Sequence, residues 1–329
     1  ESGSYRVRVL GNPEKSDTVT GFRVYAPDDK EGIQREMRQA GTLFTAVGGK
    51  NLPAIAPAVA YALSCAAQPV NVITCENWTK PAQELERAVR ELYPAAQAGF
   101  AEAVVMRSAI EPDPEEQKGD PLLVNVQDYW HLPIDAAGLA APLPPVPELE
   151  PIANFGGFLE QKFYTYNAAN GTVSYLGALL GHERISDAAW DARVLQILEK
   201  VYMETGQALA RKYGMPLEKQ MAFAATSRAK LQDKVLVDNV ERNARDPLRK
   251  LGPNDRLVGS ARLCEAYQVE PVGLATAIAA ALRYKNDADP SAMRLQGMDS
   301  VCGIRPDEPL HVLVLRQGQW LKEQGWINA

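Results

Sequence analysis

The sequence predicts an α/β domain with a parallel sheet, followed by an all-α domain. Between residues 42 and 126, short apolar segments alternate with helical patterns, which is typical of a parallel sheet covered on both faces. Beyond residue 151 the strand pattern fades and helical periodicity continues. Residues 141–151 contain five prolines and predict a stiff, extended linker. We therefore expect one domain over residues 1–150 and a second over residues 151–329.

The first half divides into short strands and helices. Strands are expected where apolar and β-branched residues cluster, at residues 5–10, 21–26, 42–47, 70–75, 100–106 and 122–126. Helices are expected at residues 30–39, 53–67 and 79–93. In the last of these, Leu85, Val89 and Leu92 recur on one side of the helix.

The second half predicts helices throughout. Their expected ranges are residues 158–180, 187–213, 217–231, 236–245, 272–284 and 308–324. Within the second of these, five apolar residues recur at helical spacing: Trp190, Val194, Leu198, Val201 and Leu209. These patterns predict an all-helical domain.

Composition excludes several classes of function. The 329 residues carry 35 basic and 41 acidic side chains, a net charge of −6, which argues against a general nucleic-acid binder. No apolar run approaches the ~18–20 residues of a membrane span. The four cysteines and three histidines are scattered and contain no zinc-ligand pattern. We therefore expect a cytoplasmic protein whose partner is a small molecule, with no metal, membrane or nucleic acid.

Two strand ends carry small or polar residues. Ligands of open α/β sheets lie at the carboxyl ends of the strands, and small residues there let a ligand approach the backbone. The alternative is a tight turn followed by a helix cap. The candidate cofactor contacts are Thr45, Ala46, Val47, Gly48, Glu76 and Asn77.

One helical segment places a lysine near two asparagines. At ~100° per residue, Asn170 lies ~80° and Asn167 ~140° from Lys162 around the helix. A buried lysine with a lowered pKa can exchange a proton with an alcohol or carbonyl, and asparagine amides can donate to a developing oxyanion. The alternative is a solvated lysine beside two surface amides.

Residues 242–256 concentrate positive charge in an acidic protein. Asp246 and Pro247 predict a helix start, where free amides and neighbouring cations would favour an anion. Arginine suits bidentate contacts to phosphate or carboxylate. The alternative is a surface network of ion pairs. The candidate anion-binding residues are Arg242, Arg245, Arg249 and Lys250.

Taken together, these segments resemble the mannitol dehydrogenase family of polyol-specific long-chain dehydrogenases, in its mannitol-1-phosphate 5-dehydrogenase branch. The matching pieces are residues 4–11, 17–21, 45–48, 55–58, 71–77, 162–170, 175–177, 181–182 and 240–256. The resemblance implies a Rossmann-type NAD domain followed by a helical domain, and catalysis without a metal. It assigns general acid/base catalysis to Lys162 and contact with the reacting oxygen to Asn167 and Asn170.

The chain departs from the family pattern in two ways. Asn170 stands where the family has histidine, and an amide can donate a hydrogen bond but cannot store a proton near neutral pH. In addition, no GxGxxG loop occurs anywhere in the sequence, although this loop opens the family's NAD domain. We therefore expect the Rossmann-type domain to be incomplete and to lack its first βαβ unit.

The leading hypothesis is an NAD-dependent oxidoreductase that interconverts a hexitol phosphate, similar to mannitol 1-phosphate, with a ketose or sugar phosphate. A rival in the same class is a dehydrogenase of a free polyol or a sugar acid. A hypothesis from another class is a non-catalytic protein that binds sugar phosphates, which both departures from the family pattern would favour.

Overall fold

The computed structural model describes residues 3–295 and 297–326. The chain divides into two compact units, Glu1–Gly156 and Gly157–Ala329. No helix in the described part of the chain is both long and apolar enough to cross a membrane. The same residues form no group of three or more His, Cys, Asp or Glu side chains that could hold a metal ion.

The first unit is α/β, as predicted, but within the described residues its strands form three separate sheets. Its strands are β1 (Ser4–Leu10), β2 (Asp17–Thr20), β3 (Thr42–Thr45), β4 (Val70–Thr74), β5 (Ala98–Glu102), β6 (Ala109–Ile110), β7 (Val124–Gln127), β8 (Leu132–Asp135) and β9 (Leu149–Ile152). Its helices are α1 (Lys30–Met37), α2 (Leu52–Ser64), α3 (Pro81–Leu92) and α4 (Pro114–Gly119).

The β3-β4-β5 sheet is the parallel layer that the sequence predicts. Thr45 pairs with Thr74, and Thr74 pairs with Glu102, so all three carboxyl ends lie at one edge. Helices α2 and α3 pack with this sheet in one apolar core, which includes Leu52, Val72 and Leu85. The other sheets have the orders β2-β1-β7-β6 and β8-β9.

The strand expected at residues 21–26 is wrong. Strand β1 pairs antiparallel with β2 at Asp17–Thr20 instead. Tyr25 contacts α1 instead of a strand. Its hydroxyl donates to Glu36 at 2.6 Å, and its ring occupies the space beside Gly32. The proline-rich segment is also not wholly a free linker, since β9 pairs parallel with β8.

The second unit is helical, as predicted. Its helices are α5 (Phe155–Lys162), a π-helical turn (Phe163–Asn167), α6 (Ala168–Leu179), α7 (Ile185–Trp190), α8 (Ala192–Tyr213), α9 (Leu217–Gln232), α10 (Val240–Ala244), α11 (Pro247–Lys250), α12 (Val258–Ala266), α13 (Val272–Ala281), α14 (Met298–Cys302) and α15 (Pro309–Glu323). Helices α6, α8 and α13 contribute fully buried residues such as Leu176, Leu198 and Leu274 to one core. The helix expected at residues 236–245 is reduced to α10.

Candidate active site

A π-helical turn follows the candidate catalytic lysine. The backbone N–H of Ala168 donates to the carbonyl of Phe163, five residues earlier, so the chain between α5 and α6 is wound more loosely than an α-helix. Single π turns of this kind are frequent at functional sites. Lys162, Asn167 and Asn170 all lie on or beside this turn and are half-buried.

The π turn changes the angles expected from a straight α-helix. Asn167 is five residues after Lys162, so the wider turn brings it to roughly 40° from the lysine instead of ~140°. The extra residue also brings Asn170 to roughly 20° from the lysine instead of ~80°. The three candidate side chains therefore share a narrower face than the sequence predicts.

A fully buried glutamine spans the π turn. Gln220 on α9 accepts a hydrogen bond from Nε2 of Gln161 at 2.7 Å, and its own Nε2 donates to Oγ1 of Thr165 at 2.9 Å. Gln161 precedes Lys162, and Thr165 lies within the π turn. Because an unpaired buried amide is costly, these two bonds stabilise the loose winding beside the lysine.

The ammonium of Lys162 lies in a positive environment. Burial, followed by the positive charge of Arg256, lowers the pKa of Lys162. Burial, followed by the charge of Lys162, also lowers the pKa of Lys230 on α9. Lys162 makes no ion pair within the described residues. This environment favours the neutral amine, which is the form that can accept a proton.

One N–H of the Asn170 side chain is already used in a hydrogen bond. Its Nδ2 donates to Oδ1 of Asn243 at 3.0 Å, which leaves its own Oδ1 and one N–H for other partners. Asn167 remains half-buried on the π turn. The two amides can therefore donate to an oxygen held near Lys162.

The candidate anion-binding residues have different surroundings. Arg242 is exposed and pairs with Asp238 at 2.6 Å, and Arg249 is exposed and pairs with Asp246 at 2.8 Å. Arg245 is exposed and forms no ion pair within the described residues. Lys250 is buried and donates to the backbone carbonyl of Asn243.

The helix start expected at Asp246 does not offer free amides. Helix α11 has only four residues, and the Asp246 side chain makes no capping bond. The backbone N–H of Asp246 donates to Asp289, and that of Leu248 donates to Ser291. Any anion site here therefore depends on side-chain cations and not on the helix terminus.

Arg256 connects Lys162 to the cationic cluster formed by Arg245, Arg249 and Lys250, and sequence reasoning does not single it out as a site residue. Its side chain is 13% exposed, pairs with Asp255 at 2.9 Å and stacks over Phe163 of the π turn. Its charge lowers the pKa of Lys162 and, after burial, also that of Lys250, which falls to about 8. Arg256 lies within the charged segment 242–256, but its burial depends on packing. Lys230 is also a neighbour of Lys162 that sequence reasoning does not identify, because it belongs to no motif.

The candidate cofactor residues of the first unit lie at the carboxyl edge of β3 and β4. Buried Glu76 accepts hydrogen bonds from Oγ1 of Thr45 at 2.9 Å and from the backbone N–H of Val47 at 3.1 Å. Both carboxylate oxygens are therefore used to join the two strand ends. Glu76 and Thr45 therefore hold the two strand ends together, and direct contact of Glu76 with a cofactor stays a prediction.

The remaining candidates at this edge are exposed: Ala46, Val47, Gly48 and Asn77. Gly48 has a φ of 82°, a conformation that favours glycine, and a Cβ there would make only an ordinary contact with the Asn51 side chain at 3.8 Å. Its neighbour Gly49 is required because a Cβ would meet Trp78 at 2.2 Å. Small exposed residues with accessible backbone fit the close approach expected of NAD.

The mannitol dehydrogenase Rossmann-domain model matches residues 1–148, and the mannitol dehydrogenase C-terminal-domain model matches residues 154–312. The chain belongs to the mannitol dehydrogenase family. It is 30% identical to mannitol-1-phosphate 5-dehydrogenase of Brevibacillus brevis, in a match that covers 98% of this chain and 88% of the relative.

Two solved structures share the fold. D-sorbitol dehydrogenase in its substrate-free form has a TM-score of 0.75 and 18% identity, over 98% of this chain and 82% of that protein. Mannitol 2-dehydrogenase of Pseudomonas fluorescens, solved with NAD and D-mannitol, has a TM-score of 0.63 and 15% identity, over 98% and 81%.

These comparisons confirm the predicted family and the predicted order of a Rossmann-type domain and a helical domain. They also confirm the predicted class, an NAD-dependent polyol dehydrogenase, at the level of the family. The individual site residues, the domain boundary at residue 150 and the cytoplasmic location stay predictions.

Proposed function

We propose that this enzyme oxidises a hexitol phosphate to the corresponding ketose or sugar phosphate, with Lys162 as the general acid/base. The observation that carries the proposal is the half-buried ammonium of Lys162, whose pKa is lowered by burial and by Arg256, beside two amides on one helix face. A neutral amine in this position can accept the proton of a substrate hydroxyl.

The proposed reaction breaks two bonds of the substrate carbinol. The hydride leaves the carbinol carbon, and NAD⁺, when bound, would supply its acceptor. Lys162 Nζ takes the hydroxyl proton as the C=O bond forms, and it returns that proton when the reaction runs in reverse. Asn167 and the remaining N–H of Asn170 donate to the substrate oxygen, which stabilises its partial negative charge in the transition state.

The cationic cluster supports a phosphorylated substrate. Lys250 is buried, and its pKa is lowered by that burial and then by the nearby charges of Arg256 and Arg249. Arg245 adds an exposed guanidinium without an ion pair in the described residues. Asp255 already pairs with Arg256, whereas Lys250 donates to a backbone carbonyl and makes no ion pair within the described residues. A buried cation without a paired anion is costly. A substrate phosphate would supply that anion, and the relative from Brevibacillus brevis is named for a phosphorylated substrate.

Steady-state kinetics with matched substrates tests this proposal. We expect kcat/KM for a hexitol 1-phosphate to exceed that for the same free hexitol by at least about tenfold, because one charged hydrogen bond contributes ~1.5–3 kcal/mol. Equal values for the two substrates, or a higher value for the free hexitol or for a sugar acid, would overturn the phosphate assignment.

A further inference from the structure

A chain of hydrogen bonds extends behind Asn170. Its Nδ2 donates to Oδ1 of Asn243 on α10 at 3.0 Å. Nδ2 of Asn243 in turn donates to Oδ1 of Asp238 at 2.6 Å and to the backbone carbonyl of Asn239 at 2.9 Å. The same oxygen of Asp238 also accepts from Arg242 at 2.6 Å.

The acceptors at the end of this chain determine the orientation of both amides. A carboxylate and a backbone carbonyl can only accept hydrogen bonds, so they require the NH₂ end of Asn243. The oxygen of Asn243 must then face Asn170, and because that oxygen also only accepts, Asn170 must present its own NH₂ group. The oxygen and second N–H of Asn170 are thereby directed elsewhere.

We propose that Asn243 is a positioning residue, which together with Asp238 fixes the amide of Asn170 for the reaction. The inference rests on the proposed function, in which Asn170 contacts the reacting oxygen. Asn170 stands at a position where an unrestrained amide could rotate by half a turn and exchange its donor and acceptor. The chain of hydrogen bonds from Asn170 through Asn243 to Asp238, here called the relay, removes that freedom before the substrate binds. This is the entropic advantage of a preorganised site.

The relay also gives Arg242 a different role from the one predicted. Its guanidinium is 69% exposed and binds the carboxylate that ends the relay. Arg242 therefore supports Asp238, and Lys250 contacts the same segment by donating to the backbone carbonyl of Asn243. These contacts connect the cationic cluster to the orientation of Asn170.

A double-mutant cycle tests whether Asn243 acts through Asn170. We expect Asn243→Ala and the nearly isosteric Asn243→Leu each to lower kcat roughly tenfold, with little change in KM, because a misaligned group slows the chemical step. In an Asn170→Ala background, the same substitutions should have no further effect on kcat. An unchanged kcat in the single variants, or an equal loss in both backgrounds, would overturn the proposal.

A control variant and a second readout separate positioning from damage to α10. Glu241→Ala removes a side chain of the same helix that accepts from Asn286 at 2.8 Å and takes no part in the relay, so kcat should stay at the wild-type value. In NMR spectra, the proton of the Asn170 NH₂ group that is bound to Asn243 should lie downfield in the wild type and move upfield in Asn243→Ala, which removes its acceptor. Identical shifts in the two proteins would also contradict the relay.

The outcome can be distinguished from failure of the proposed function. If Lys162→Ala keeps full activity, the acid/base assignment itself is wrong. If Lys162→Ala is inactive but the Asn243 variants behave like the wild type, only the relay is wrong.

Discussion

The buried ammonium of Lys250 predicts a pH-dependent affinity for phosphate. Burial, followed by the charges of Arg256 and Arg249, lowers the pKa of this lysine to about 8. If phosphate binds the protonated form, the competent fraction falls from roughly 0.9 at pH 7 to roughly 0.1 at pH 9. A phosphate monoester has its second pKa near ~6 and keeps its charge over this range. The affinity for a hexitol phosphate should therefore fall about tenfold.

Titration calorimetry at pH 7, 8 and 9 measures this fall directly. The free hexitol is the control, because any effect of Lys162 on binding acts on both ligands. The variant Lys250→Arg should bind the phosphate with nearly constant affinity, since a guanidinium stays protonated at pH 9. A constant affinity in the wild type, or the same fall in Lys250→Arg, would refute the placement of Lys250 in the phosphate site.

Three further predictions concern other residues. Arg245→Ala should weaken binding of the hexitol phosphate by ~1.5–3 kcal/mol in calorimetry and leave the free hexitol unaffected; an equal loss for both ligands would make Arg245 structural. Gln220→Met, which keeps the length of the side chain but not its amide, should lower kcat roughly 10- to 100-fold. Ser227 lies on the same helix as Gln220, and Ser227→Ala, which removes its buried hydrogen bond with Tyr202 of α8, should leave kcat unchanged. Burial raises the pKa of Glu204 to about 7, so ionisation between pH 4.5 and 7 should cost about 3 kcal/mol of stability. In denaturant titrations from pH 4 to 8, Glu204→Gln should lack that loss, and a parallel pH dependence in both proteins would contradict the assignment.

Much of the fold follows from local sequence patterns. The apolar segments that became β3, β4 and β5 alternate with amphipathic helices, and this alternation is enough to predict the parallel layer. The error at residues 21–26 has a tertiary cause. That segment alternates like a strand, but the hydrogen bond between Tyr25 and Glu36 draws it towards α1, and β1 pairs with an earlier segment.

The candidate site also depends on tertiary contacts that local sequence patterns do not show. The spacing of Lys162, Asn167 and Asn170 is visible in the sequence, but the π turn that brings them onto one face is supported by Gln220, 55 residues from its partner Thr165. The burial of Arg256, which lowers the pKa of Lys162, likewise depends on how helices pack. The sequence shows Glu76 as a polar residue at a strand end, but only the folded chain shows the two hydrogen bonds that its carboxylate accepts from Thr45 and Val47.

The most direct measurement is single-turnover hydride transfer from pH 6 to 10 in the wild type and in Lys162→Ala. Lys162 should take the hydroxyl proton during oxidation, so the wild-type rate should rise with pH as the amine loses its proton. The variant should transfer hydride ~10²–10⁴-fold more slowly, without that rise, while its affinity for the hexitol phosphate stays nearly the same. A variant with the full rate and the wild-type pH profile would show that Lys162 is not the acid/base.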